Sequence, residues 1–213
     1  MNGKTVMACI DAACAALREN MDEIALLDQQ IGDGDHIFNL LRGMEALRSL
    51  RAEIEAAAPG AALELAAAKV LSTVGGSSGP LFYSLLSGMA KAVPAQAADV
   101  AGFVRIYAAG VDAVGLRGKT GVGSKTMMDV LIPVARRGEE LAAAGASARA
   151  VLEELPRVAE QGMLATRDMV ATKGRASFLG ERSRGHLDPG ARSSQLMIKA
   201  VCEWLARPAD GKE

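Results

Sequence analysis

Three aspartates lie within eight positions of one another, in a segment that also contains two glycines. Asp28, Asp33 and Asp35 would repel one another unless a cation neutralised them, and Mg²⁺ commonly combines one or two carboxylates with phosphate oxygens. Gly32 and Gly34 allow the tight turns that would direct the three carboxylates towards one point. This aspartate segment (residues 28–36) is therefore compatible with a site for a divalent cation and a phosphate group.

The spacing of the aspartates alone leaves two interpretations open. The carboxylates could hold a metal ion, or they could cap helices in a solvated loop. A calcium EF-hand is excluded, because the twelfth position counted from Asp33 is Met44 instead of a glutamate. His36 follows the third aspartate directly, where it could hydrogen-bond a phosphate or take part in acid–base chemistry.

Two glycine-containing segments could also approach a phosphate. The glycine-serine turn (residues 75–79) precedes a predicted helix, whose first backbone amides can bind anions, although such turns are common without a ligand. The glycine-rich segment (residues 115–126) resembles a Walker A motif, but Ser124 separates Gly123 from Lys125. No strand precedes it, so a P-loop fold is rejected, and a basic loop near a phosphate remains open.

A long polar stretch, the arginine segment (residues 172–192), follows the seventh predicted helix. Connections of this length are usually functional or disordered. Its arginines, among them Arg175, could pair with phosphate oxygens. His186 also lies here, and an ordinary polar loop histidine is the favoured interpretation for it.

Composition limits the classes of protein that the chain can belong to. The 213 residues are half hydrophobic and fit one domain spanning 1–213, and the net charge of −1 offers no basic excess for nucleic acid. No apolar run approaches the ~20 residues that span a bilayer, and the N-terminus lacks a secretory apolar region. The three cysteines form no C-x-x-C pair. We therefore expect a cytoplasmic protein without nucleic-acid or membrane partners.

The sequence predicts an all-α fold, since alanine and leucine are abundant and aromatic residues make up 3%. Apolar residues at spacings of three and four predict eight helices, at about 4–27, 37–57, 61–74, 80–93, 99–114, 126–144, 147–171 and 193–206. Short connections favour antiparallel neighbours and an up-and-down bundle. Alternate connections then lie at the same end, and these are the four polar segments. We therefore expect one functional end.

Several motifs occur in the order typical of a known family: Leu27-Asp-x-x-Ile-Gly-Asp-Gly-Asp-His36, Val74-Gly-Gly-Ser-Ser-Gly-Pro-Leu-Phe82, Lys125-Thr-Met127, Lys173-Gly-Arg-Ala-Ser-Phe-Leu-Gly-Glu-Arg-Ser183 and Gly185-His-Leu-Asp-Pro-Gly190. On these motifs nearly the whole chain resembles the L subunit of dihydroxyacetone kinase. That family is the ADP-binding subunit of a bacterial system that draws phosphate from the phosphoenolpyruvate phosphotransferase pathway. The resemblance implies an eight-helix barrel with a nucleotide at one end.

The resemblance also implies cofactors and partners. ADP stays bound as a cofactor, an M-type phosphocarrier converts it to ATP, and the γ-phosphate passes to dihydroxyacetone or a related small ketose. A separate K-type subunit holds that substrate, since no such domain fits within the 213 residues. A homodimer is a further open expectation.

Site residues carry over from the family by position. The resemblance implies that Asp28, Asp33 and Asp35 bind two Mg²⁺ ions that bridge the phosphates, and that these aspartates and Arg175 serve in-line phosphoryl transfer. The implied nucleotide contacts are His36, Asn39, Ser77, Ser78, Gly118, Met127, Arg175, Asp188, Pro189 and Gly190.

Two positions depart from the family pattern. Ile37 stands where the family usually has glycine, so we expect added bulk near the phosphates and no positive φ. Ser124 replaces an aspartate before Lys125. A related kinase that acts on another small ketose therefore stays open. The intact ligands would look the same in a regulator, so an alternative also stays open in which the chain holds ADP and regulates a transcription factor or another enzyme without phosphoryl transfer. A third alternative is the nucleotide domain of fatty acid kinases, although those proteins carry further domains.

Overall fold

The structure, a computed structural model, describes residues 1–95 and 99–208, and these residues form an all-α fold. Its helices are α1 Gly3–Glu19, α2 Met21–Ile31, α3 His36–Arg48, α4 Arg51–Ala56, α5 Pro59–Thr73, α6 Ser78–Lys91, α7 Val100–Gly118, α8 Met128–Ala143, α9 Ala148–Ala165 and α10 Pro189–Ala206. Among the described residues, no helix combines the length and apolar character that crossing a bilayer requires.

The eight predicted helices are present, but the first two are each divided into two pieces. Asn20 separates α1 from α2, and its side-chain amide donates to the Ala16 carbonyl at 2.9 Å. Ser49 separates α3 from α4 in the same way, because its hydroxyl donates to the Ala46 carbonyl at 2.7 Å. A short polar side chain that bonds the preceding turn competes with the helical backbone, and this explains both breaks.

The long helices close into a ring. α3 packs between α1 and α5, each helix from α5 to α10 packs against the next, and α10 packs against α1. Glycines bring α6 and α7 especially close: a Cβ atom on Gly88 would lie 2.8 Å from the Ala109 carbonyl oxygen. The predicted up-and-down barrel is thus confirmed, and its alternate connections lie at one end.

Helix boundaries near the polar segments differ from the predictions. α7 continues to Gly118, three residues beyond the predicted start of the glycine-rich segment. α10 begins at Pro189 instead of Ser193, because the Asp188 side chain accepts from the Ala191 amide at 2.8 Å and proline suits the first helical turn. The arginine segment is also more regular than the predicted loop, since 3-10 turns occupy Arg175–Ser183 on both sides of a kink at Gly180, whose φ is +55°.

Ile37 does not add bulk near the site, contrary to the expectation from sequence. It lies in α3 with no exposed surface and packs in the core with Leu17, Ile24, Leu40 and Leu196. The helical backbone needs no positive φ at this position. The departure from the family's glycine is therefore accommodated by the interior of the barrel.

Candidate functional site

The four polar segments meet at one end of the barrel, as the alternation of connections predicts. The contacts that join them are Asp33–Arg175 at 2.9 Å, His36–Ser78 at 3.5 Å, Gln30–His186 at 3.1 Å and Thr172–Ser124 at 3.2 Å. The aspartate segment lies between the glycine-serine turn and the arginine segment, and the arginine segment reaches the glycine-rich segment.

The three aspartates form one cluster. A carboxylate oxygen from each of Asp28, Asp33 and Asp35 lies within 4.8 Å of the others. Asp28 is buried in the last turn of α2, whereas Asp33 and Asp35 are exposed in the following loop. Gly32 and Gly34 allow the chain to turn tightly enough for the three carboxylates to converge. A Cβ atom on Gly32 would collide with the Asp28 carboxylate, and Gly34 has a φ of +77°.

The neighbours of the cluster leave most carboxylate oxygens available to a cation. The His36 amide donates to one oxygen of Asp28 at 3.0 Å, and the exposed Arg175 guanidinium pairs with Asp33. Within the described residues, the Asp35 side chain makes no capping hydrogen bond to α3. Several oxygens therefore converge without their full complement of donors, and this donor set fits hard cations such as Mg²⁺. This arrangement of oxygens favours the metal interpretation over a purely capping role.

His36 links the aspartate cluster to two other elements. Its Nε2 atom lies 2.9 Å from the Ser193 hydroxyl of α10, and its Nδ1 atom lies 3.5 Å from the Ser78 hydroxyl at the start of α6. Burial lowers the pKa of the imidazole, while the charges of Asp28, Asp35 and Asp33 oppose that change. His36 thus lies at the junction of the predicted metal and phosphate positions.

The glycine-serine turn presents the N-terminus of α6 to the cluster. Ser77 precedes the helix and is exposed, and Ser78 is its first residue. Gly79 is required for the close return of the chain, since a Cβ atom there would lie 2.3 Å from the Val74 carbonyl oxygen. The free amides of this helical turn form an arrangement that can bind a phosphate.

Asn39 supports the same turn from α3. It is buried, and its side-chain oxygen accepts from the Arg42 guanidinium at 2.6 Å. Arg42 also donates to the Thr73 carbonyl at 3.1 Å, just before the turn. A Cβ atom on Gly75 would lie 3.0 Å from the Asn39 oxygen, so Asn39 and the turn are in close contact.

The remaining predicted nucleotide contacts lie at the end of α7 and at the starts of α8 and α10. Gly118 is the last residue of α7, and Met127 is buried just before α8. Gly190 packs near Met127, since a Cβ atom on Gly190 would lie 3.7 Å from the Met127 Cβ atom. Asp188 and Pro189 are buried at the start of α10. The structure thus brings Met127 and the Asp188–Gly190 turn together.

Comparison with protein families adds the deciding observation, because residues 30–203 match the DAK2 domain. The chain belongs to the DAK2 domain family. This match covers all of the polar segments except the first two residues of the aspartate segment.

Relatives of this DAK2 domain include named subunits of dihydroxyacetone kinases. It is 40% identical over 188 residues to the "PEP-dependent dihydroxyacetone kinase 1, ADP-binding subunit DhaL" of Listeria innocua, covering 88% of this chain and 89% of the relative. It is 38% identical to the corresponding subunit of Escherichia coli, covering 82% of this chain and 84% of the relative. The expected membership of the L-subunit family, whose members are named as parts of a phosphotransferase, is confirmed.

A solved structure has the same fold. The DAK2 domain matches the dihydroxyacetone kinase of C. freundii in complex with AMP-PNP and Mg²⁺ with a TM-score of 0.72 and 22% identity. The match covers 93% of this chain and 33% of that chain. At this identity, the similarity establishes the helical architecture.

The sequence left open that the loop containing Lys125 is a basic loop near a phosphate, but in the structure of the DAK2 domain Lys125 points into the interior. It has no exposed surface, and its ammonium group donates to the carbonyls of Thr166 and His186. Burial lowers the pKa of Lys125, and the charges of Asp188, Asp129 and Asp168 oppose that change. Lys125 therefore ties the glycine-rich and arginine segments together from inside and does not face the phosphate position.

Asp129 is a structural residue of the site that the sequence reasoning missed. Its two carboxylate oxygens accept from the amides of Gly123 and Thr126, the latter at 2.7 Å. The signal was present in the sequence, since Thr126-Met-Met-Asp129 has the spacing of a capping box. Ser193 and Thr166, which bond His36 and Asp188 respectively, were also missed, and no local motif distinguishes them.

Proposed function

We propose that this chain is the ADP-binding subunit of a phosphoenolpyruvate-dependent kinase for dihydroxyacetone or a related small ketose. One observation carries the proposal: three carboxylates lie within 4.8 Å of one another, beside a helix N-terminus at the end of the barrel. The printed names of the relatives support the substrate class and the dependence on phosphoenolpyruvate. We infer one domain over residues 1–213 that works in the cytoplasm.

Asp28, Asp33 and Asp35 would hold two Mg²⁺ ions. When bound, these ions would offset negative charge on the phosphates during transfer. The His36 amide orients the Asp28 carboxylate, and the glycines at positions 32 and 34 let the chain fold tightly around it. Exposure of Asp33 and Asp35 leaves their oxygens accessible from the end face.

The other predicted residues would bind the nucleotide. Ser77, Ser78 and the amides at the start of α6 are placed for phosphate oxygens, and Asn39 and His36 support them from α3. Met127 lies beside the Asp188–Gly190 turn, and Gly118 lies near Leu81 of α6. These residues would contact the rest of the nucleotide.

Arg175 would assist phosphoryl transfer. Its guanidinium lies 2.9 Å from Asp33 and is exposed, so it can exchange this ion pair for contact with a phosphate at little cost. Guanidinium groups match phosphate oxygens through paired hydrogen bonds. With the nucleotide positioned by the turn and the aspartates, the residues of the chain contribute mainly orientation and charge stabilisation to an in-line transfer.

The proposal requires separate partners. A K-type subunit would present the ketose to the end face, and an M-type phosphocarrier would convert bound ADP to ATP between turnovers. The relatives are named as subunits, which supports an assembly of several chains. A homodimer also belongs to this proposal.

Reconstitution tests the proposed activity. The purified chain is combined with a K-type subunit, the phosphocarrier proteins, phosphoenolpyruvate and dihydroxyacetone, and formation of the ketose phosphate is measured. We expect turnover that requires every component and is lost in Asp28→Asn. Asp22→Asn is the matched control, because Asp22 lies exposed on the same helix. Native mass spectrometry of the purified chain should show ADP with two Mg²⁺ ions.

Two outcomes would contradict the proposal. Equal turnover in Asp28→Asn and in the wild type would remove the aspartate cluster from the reaction. A chain that retains ADP and Mg²⁺ but never phosphorylates a ketose would support the regulatory alternative instead.

A further inference from the structure

His36 has both ring nitrogens beside serine hydroxyls. Nε2 lies 2.9 Å from Ser193 Oγ, and Nδ1 lies 3.5 Å from Ser78 Oγ. The ring therefore spans from α10 to the glycine-serine turn. A neutral imidazole carries one N–H donor and one acceptor nitrogen, and the hydrogen bonds of its neighbours decide which nitrogen is which.

The Ser193 hydroxyl determines the direction of its bond to the ring. Ser193 Oγ lies 3.1 Å from the Gly190 carbonyl oxygen, which can only accept, and a hydroxyl proton directed at that carbonyl is not available to Nε2. The oxygen is then left as an acceptor towards Nε2. Ser193 has no exposed surface, so water does not compete for these positions.

We propose that Ser193 is a positioning residue that fixes His36 as the Nε2–H tautomer, leaving Nδ1 as an acceptor directed at the Ser78 hydroxyl. The chain of bonds runs from the Gly190 carbonyl through Ser193 and His36 to Ser78. It fixes the start of α6 relative to the aspartate cluster, because the His36 amide also holds Asp28 at 3.0 Å.

This arrangement has a consequence for nucleotide binding, which rests on the function proposed above. The phosphate turn and the metal ligands are held in register before a ligand arrives, so less ordering is needed when it binds. Loss of Ser193 would free the ring to adopt either tautomer and would loosen the turn. Removing one such bond weakens ADP binding by about 2- to 10-fold.

The tautomer can be observed directly, because the sequence contains two histidines. Long-range ¹H–¹⁵N spectra distinguish a protonated ring nitrogen from a bare one, and a His186→Gln variant assigns the two sets of signals. The spectrum is recorded without nucleotide, at a pH above the ordinary histidine pKa. We expect His36 of the wild type to show a protonated Nε2 and a bare Nδ1.

Two alanine variants complete the test. Ser193→Ala should give a mixture of tautomers and the several-fold loss of ADP affinity. Ser194→Ala is the matched control: Ser194 is the next residue of α10 and is equally buried, but within the described part of the chain its hydroxyl has no hydrogen-bond partner. This variant should keep the wild-type spectrum and affinity.

A wild-type ring protonated at Nδ1 would overturn the proposal, and so would an unchanged tautomer in Ser193→Ala. These results are independent of the proposed function, since the spectra need no nucleotide. If the wild type shows the expected tautomer but binds no ADP, the positioning role stands and the proposed function fails.

Discussion

Two groups of aspartates occupy the same end of the barrel, and they differ in the donors or cations that can bind their carboxylate oxygens. Asp28, Asp33 and Asp35 converge on one point, and two of them are exposed. Asp129 and Asp188 are buried, and their carboxylates accept from backbone amides of the segments that they support. The first group can receive a cation, whereas the second group shapes the surrounding loops.

The comparison shows that composition alone does not separate ligand-binding carboxylates from structural ones. Both groups lie in, or within three residues of, segments rich in glycine and polar residues. The difference lies in the surroundings. The buried Lys125 lies near both Asp129 and Asp188, which accept from backbone amides. In the cluster, Asp28 also accepts from an amide, that of His36, but Asp33 and Asp35 are exposed. A buried carboxylate without such partners would be costly, whereas the exposed oxygens of Asp33 and Asp35 are accessible to a metal ion.

The largest expected effect follows from removing a carboxylate of the exposed cluster. Asp33→Ala takes away a predicted metal ligand together with the partner of Arg175. We expect phosphoryl transfer in the reconstituted system to fall by at least about 100-fold, with an unchanged melting temperature. Asp22→Ala, on the exposed surface of α2, should retain full activity. Wild-type Mg²⁺-dependent turnover in Asp33→Ala would remove this residue from the site.

Lys125→Met should have the largest effect on stability. The substitution leaves the carbonyls of Thr166 and His186 without their donor and removes the positive charge near the buried aspartates. We expect a loss of about 3–5 kcal/mol in the free energy of unfolding, measured by urea denaturation. Lys119→Met is the control, because Lys119 shares a positive φ but is exposed. Similar losses in both variants would contradict the structural role of the buried ammonium group.

Asp129→Asn should have a smaller effect. An asparagine has one acceptor oxygen, so one of the amides of Gly123 and Thr126 loses its partner. The expected cost is about 1–3 kcal/mol in the free energy of unfolding. Asp112→Asn on the exposed face of α7 should cost less than about 0.5 kcal/mol. Equal stability of Asp129→Asn and the wild type would show that the capping-box contact is dispensable.

The most gradual effect is the pH dependence of stability. Burial raises the pKa of Asp188 from 3.8 to about 7, while the Ala191 amide and Lys125 oppose that change. The folded state therefore holds this proton more tightly than the unfolded state between about pH 4 and 7. The stability contributed by neutral Asp188 is present at low pH and is lost as the pH rises to about 7.

Asp188→Asn should remove this contribution, since asparagine can still cap α10. Unfolding of both proteins is followed between pH 5 and 8 without metal or nucleotide. The free energy of unfolding of the wild type should fall relative to that of the variant as the pH rises. The difference between the two free energies should change by at most about 1.4 kcal/mol per pH unit. Parallel curves would contradict the raised pKa.

Much of the architecture follows from the sequence. The apolar spacing predicts all eight long elements, and the alternation of connections predicts that the polar segments meet. Asp99 and Ser147, whose side chains are of the types that favour helix N-caps, accept from the amides of Gly102 at 2.7 Å and Ala150 at 3.2 Å. These features depend on local rules of helix formation, which the sequence expresses directly.

The rest depends on contacts between distant segments. A lysine in a glycine-rich loop is ordinarily exposed. Lys125 turns inward because its backbone adopts a φ of +58° and its ammonium group donates to two carbonyls, those of Thr166 and His186. The breaks at Asn20 and Ser49 interrupt apolar patterns that continue across them. Ser193 meets His36 across 157 positions of sequence, and no local pattern indicates that pairing.

The central claim is that Asp28, Asp33 and Asp35 hold Mg²⁺ against the phosphates of ADP. Calorimetric titration of ADP into metal-free protein, with and without Mg²⁺, tests this claim most directly. We predict tight binding with Mg²⁺ and a loss of at least about 100-fold in affinity when EDTA replaces it. Equal affinity for ADP in Mg²⁺ and in EDTA would contradict the account.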